Sequence, residues 1–100
     1  MSSQSWELKN GATLLGVVSL TEIDQPWFRC EFTPSKGWGE VEYLFQEQAD
    51  AVDSGDQQRM MEAIGAVRNL QLKLQSQAGD DEVITPIMIQ IRGNKANFRY

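Results

Sequence analysis

Glu22, Asp24 and Glu31 are the residues whose type and spacing come nearest to chemistry. Glu22 and Asp24 lie two apart near the end of a strand-like run, and Glu31 follows on the next such run. Carboxylates held a few ångströms apart do acid–base work on a sugar or bind a divalent cation. Nothing in the chain reinforces them. Histidine is absent, which removes the commonest general base and transition-metal ligand and excludes His-based triads. The single cysteine, Cys30, completes neither a Cys–His dyad nor a standard structural zinc site. It alternates with Phe28 and Phe32 and reads as a small core residue. Asp80-Asp81-Glu82 lacks the spaced ligands of a calcium loop and reads as a solvated acidic loop. Gly37-Trp38-Gly39 has neither phosphate-binding glycine spacing. No cofactor or metal is expected. A small carboxylate-based hydrolase or metal-dependent enzyme using Glu22, Asp24 and Glu31 is the alternative reading, not the leading one.

The elements that must carry these residues are marked by turn chemistry. Trp6-Glu7-Leu8 alternates, and Asn10-Gly11 supplies a hairpin turn. Residues 12–23 are rich in β-branched and aliphatic types and read as a long strand, with Gly16 marking a bulge or bend. Asp24-Gln25-Pro26 turns the chain. Trp27 to Phe32 then alternates strictly. From Trp38 the period changes: Trp38, Val41, Leu44, Phe45, Ala49 and Val52 form one helical stripe. Ser54 and Gln57 have capping-box spacing, with Asp56 a rival cap. A second helix carries Met60, Met61, Ile64 and Val67 and stops near Asn69. Leu70, Leu72 and Leu74 fall at every second position, the signature of a strand. Val83 to Arg92 reads as one strand with Pro86 at an edge or bulge, and Gly93-Asn94 turns into a last strand, Lys95 to Tyr100.

The order β-β-β-α-α-β-β-β implies an α+β fold in a single domain over residues 1–100. The expected architecture is a mostly antiparallel sheet of five to six strands with a helical hairpin on one face. One parity of the strands should face the core: Val18, Leu20, Phe28, Cys30, Phe32, Leu70, Leu72, Leu74, Ile87, Ile89, Ile91, Ala96, Phe98 and Tyr100. On the opposite, open face Leu15, Val17, Trp27 and Met88 would make an apolar patch rimmed by Arg29, Glu31, Arg92 and Arg99. A tryptophan among arginines is the composition of interface hot spots. The competing reading folds Trp27 over the Asp24–Pro26 turn.

Charge restricts the partners. The formal net charge is −5, and residues 1–58 hold ten acids against three bases. Such a chain repels a phosphate backbone, so nucleic acid is not an expected partner. The acids fit either a solvated helix face or a surface that steers a basic protein. No apolar run reaches the ~20 residues of a membrane helix. Met1 to Ser5 carries no signal-peptide pattern, and the lone cysteine gives no sign of an oxidising compartment, so the default location is the cytoplasm.

Thr21-Glu22-Ile23-Asp24, Pro26-Trp27, Phe32, Pro34, Glu40-Val41, Leu44-Phe45 and the closing Phe98-Arg99 resemble a pattern in a family of small uncharacterised bacterial proteins, chiefly actinobacterial. Such relatives have Phe where this chain has Trp38 and acids where it has Gln46 and Gln48. The resemblance implies a self-standing domain and no particular reaction. The leading expectation is therefore a non-catalytic interaction module of inhibitor, immunity-type or regulatory kind, with a homodimeric structural domain as a further alternative.

Overall fold

The computed structural model describes residues 4–79 and 81–100. Asp80 of the acidic loop and Met1 to Ser3 of the amino-terminal segment lie outside the described residues. The elements are β1 (Ser5–Asn10), β2 (Thr13–Asp24), β3 (Trp27–Pro34), α1 (Trp38–Ser54), α2 (Gln57–Arg68), β4 (Leu72–Ser76), β5 (Val83–Ile84), β6 (Met88–Arg92) and β7 (Lys95–Arg99). The fold is α+β, and every strand pairing is antiparallel.

Among the described residues the sheet has seven strands in the order β5-β4-β1-β2-β3-β7-β6, not five or six. Thr85-Pro86-Ile87 divides the run from Val83 to Arg92, because proline has no N–H for a ladder. The two strands it separates, β5 and β6, form opposite edges of the sheet. Six strand spacings would put those edges about 29 Å apart in a flat sheet. Four residue steps, from Ile84 to Met88, span about 14 Å at most. The sheet must therefore curl until its edges approach, and residues of β4 and β6 line one cavity.

Two register shifts govern which side chains reach the core. Leu8 pairs with Gly16 but Lys9 pairs with Leu14, so Leu15 is an extra residue in β2. A bulge of this kind breaks the strict alternation of faces. Leu15 accordingly turns inward and is 0% exposed, which corrects its expected place on the open face. Gly16 beside it is required by close approach: a Cβ there would stand 2.5 Å from the Phe32 ring and from the Thr33 carbonyl oxygen. The second shift lies between Leu20 and Glu22, leaving Thr21 unpaired in the ladder with β3.

The core gathers Trp6, Leu8, Val18, Cys30, Phe32, Leu74, Ile89, Ile91, Ala96 and Phe98 from the sheet with Trp38, Val41, Phe45 and Val67 from the helices. Aromatic rings join these layers. Trp6 meets Phe98 edge-on at 5.2 Å, and Phe32 and Phe45 pack on Trp38 at 4.7 and 5.0 Å. At the margin alternation overreaches, because Ile87 and Tyr100 are exposed. Helix α1 contacts β6, β2 and α2. It ends at Gly55, whose φ of 73° is the left-handed conformation that glycine adopts freely. Asp56 rather than Ser54 caps α2, accepting the Arg59 amide at 3.2 Å. The α2 stripe is Met60, Ala63, Ile64 and Val67, while Met61 is exposed. No helix among the described residues is long and apolar enough to cross a membrane.

Candidate functional site

On the face of the sheet opposite the core, cross-strand register builds short rows of side chains. Asp24 pairs with Trp27, and Arg99 pairs with Met88. The Arg99 guanidinium carbon bridges the two pairs, 5.9 Å from the centre of the Trp27 ring. The next row is Glu22, Arg29, Asn97 and Gln90. Strand pairing thus brings Trp27, Arg29, Met88 and Arg99 to one end of β3, β7 and β6. Trp27 and Met88 are half-buried, while both arginines are exposed.

Other expected members of the patch stand apart. Val17 pairs with Thr33, six residues along β3 from Trp27, or about 20 Å at strand rise. Leu15 is in the core. Arg92 reaches Asp53 of α1 at 3.1 Å and leaves the Trp27 end. Glu31 sits two residues beyond Arg29 on the same face, with the Lys95 ammonium 4.0 Å away. The apolar content of the site is therefore Trp27 with Met88, not a four-residue patch.

The carboxylates serve this face electrostatically. Asp24 accepts two hydrogen bonds from Arg29, from Nη2 at 2.9 Å and Nε at 3.3 Å. The ion pair is exposed, so it orients the guanidinium and contributes little stability. Glu22 has no cationic partner among the described residues. No group of three or more His, Cys, Asp and Glu side chains is placed to hold a metal ion among the described residues. Cys30, facing the core, is buried, and desolvation pushes its thiol up to about 12. Such a thiol is protonated at neutral pH and is a poor nucleophile.

A second feature lies on the covered face. A cavity of about 340 Å³ opens between α1, the end of α2, β4 and β6, lined by Gln48, Ile64, Val67, Arg68, Leu72 and Ile89 among others. Gln48 is only 2% exposed, and its side-chain amide makes no hydrogen bond among the described residues. Its amide atoms nevertheless keep some accessible surface, since the fully buried side-chain polar atom without a partner among the described residues is Trp6 Nε1. Gln48 is absent from the apolar stripe expected for α1, although a signal for its inward position was present. Residues 38, 41, 45 and 48 repeat at helical spacing, which sets one glutamine in line with Trp38, Val41 and Phe45.

No protein-family model matches the chain, and no curated protein or solved structure matches it.

Proposed function

We propose that the chain is a non-catalytic binding module that takes a basic segment of a protein partner on the open sheet face at Trp27. The observation that carries this reading is the cation–π contact of Arg99 with Trp27, beside Met88 and outside the core, with Asp24 engaged by Arg29 and the exposed Glu22 left without a cationic partner among the described residues. A ring fixed in this way offers a rigid contact surface at low entropic cost, as interface anchors do. Glu22 gives the surface an acid to meet a cation on the partner. The surplus of acids in residues 1–58 adds longer-range attraction that salt would weaken. In this reading α1 and α2 act as a helical hairpin that closes the other face.

The test is affinity capture with wild-type and Trp27→Ala chains from the native lysate, at low and high salt. A basic polypeptide held by the wild type, released by salt and lost with Trp27→Ala supports the proposal. Retention that Trp27→Ala leaves unchanged contradicts it. Sedimentation covers the homodimer alternative: a dimer that Trp27→Ala dissociates would make the partner a second copy of this chain.

A further inference from the structure

We propose that the cavity between α2 and the curled sheet edges binds a small amphipathic monoanion. Its carboxylate would meet the Arg68 guanidinium, its compact apolar body would pack on Ile64, Val67, Leu72 and Ile89, and a hydrogen-bonding group would meet the Gln48 amide where it lines the cavity.

Three observations carry this assignment. The first is the cavity's size and lining. About 340 Å³ is room for roughly eleven water molecules at their liquid volume, and it reaches the lower range of small-molecule sites. Ile64 and Val67 of α2, Leu72 of β4 and Ile89 of β6 make the walls aliphatic, with Pro86 and Ile87 on the segment between β5 and β6. The second is Gln48. A primary amide offers two donors and an acceptor with two lone pairs. Its amide makes no hydrogen bond among the described residues yet is not sealed from solvent, and the otherwise apolar stripe of α1 would accept leucine at this position. A glutamine lining the cavity instead gives a ligand something to recognise. The third is Arg68, which also lines the cavity and has no carboxylate partner among the described residues. Its place in the last turn of α2 suits the helix dipole, but that does not require it to border the cavity.

The chemistry of the occupant follows from these groups. An arginine fork pairs with a planar carboxylate in two parallel hydrogen bonds. A purely aliphatic acid would leave the Gln48 amide against hydrocarbon, so the ligand needs a hydroxyl, carbonyl or N–H on its apolar body. The site is separate from the Trp27 surface. The two share only β6, whose Met88 lies on the open face while Ile89 lines the cavity.

The experiment uses 3-(4-hydroxyphenyl)propionate and its deoxy analogue 3-phenylpropionate as probes. Amide chemical shifts are followed by NMR in the wild type, Gln48→Leu and Arg68→Gln. Both compounds are expected to move the Ile64, Val67, Leu72 and Ile89 resonances of the wild type. The hydroxylated one should bind about three- to tenfold more tightly, the worth of one neutral hydrogen bond. Gln48→Leu should fold, melt no lower than the wild type and bind the two compounds equally. Arg68→Gln should fold and weaken both by about tenfold. No perturbation by either compound at millimolar concentration would overturn the proposal. So would a preference for the hydroxylated compound that survives Gln48→Leu, or a Gln48→Leu chain that fails to fold.

Discussion

The Arg99 guanidinium stands 5.9 Å from the centre of the Trp27 ring, on the side of the sheet away from the core. Trp27 is half-buried there, whereas Trp6 and Trp38 are 2% and 8% exposed. Acrylamide should therefore quench one tryptophan population and spare the other two. Trp27→Phe should remove the quenchable fraction and leave the protected emission intact. Uniform quenching of all the emission would contradict this placement.

Leu15 and Val17 offer a contrast that the bulge in β2 creates. Leu15→Ala should cost about 3 kcal/mol, the usual penalty for a cavity in a packed core. Val17→Ala, on the partly exposed open face, should cost less than about 1 kcal/mol. Urea denaturation of the two variants measures both values. Equal costs would mean that the alternation of faces runs unbroken through Gly16.

Gly16 makes the same point from the backbone. Its Cβ would have to displace the Phe32 ring and the Thr33 carbonyl, each 2.5 Å away. Gly16→Ala should destabilise by about 1–3 kcal/mol through overpacking. A melting temperature unchanged from the wild type would show that β3 yields at no cost.

Cys30 sets a dependence on alkaline pH. Burial raises its thiol from 9.0 to about 12, so between these values the folded chain keeps a proton that the unfolded chain loses. The stability involved is fully present below about pH 9 and is lost as pH rises towards about 12. Cys30→Ala should show a shallower decline over that window than the wild type. A thiol reagent at pH 8 should react with the native protein only as fast as it opens, and fully once denaturant is added.

Much of the fold was legible because strands and helices impose different periods. Alternation assigned Phe28, Cys30 and Phe32 to one face and Arg29 and Glu31 to the other. The change of period at Trp38 located α1. Gly93-Asn94 turned where a two-residue hairpin loop should. What alternation cannot signal is its own interruption. Leu15 looks like an open-face residue because a bulge shifts parity without changing composition, and only the pairing of Lys9 with Leu14 exposes it. The curl of the sheet was equally hidden. It follows from the opposite-edge positions of β5 and β6, which depend on long-range pairing rather than on any local pattern.

The candidate site was legible in part. Trp27, Arg29 and Arg99 share a parity, and the ladder brings them together at one end of the sheet. Asp24 was readable as a turn residue, but its ion pair with Arg29 depends on the second register shift, at Thr21. Arg92 shares the same parity yet leaves the group, because it lies on an edge strand beside α1 and Asp53 attracts it.

If Trp27 serves recognition rather than the core, the fold should survive its removal. Equilibrium denaturation of Trp27→Ala decides this, with Trp6→Ala as the reference for a buried ring. Loss of a partly exposed ring and its cation–π contact should cost about 1 kcal/mol, against about 3–5 kcal/mol for Trp6→Ala. If Trp27→Ala unfolds the domain or costs as much as Trp6→Ala, Trp27 is a structural residue and the open face loses its anchor.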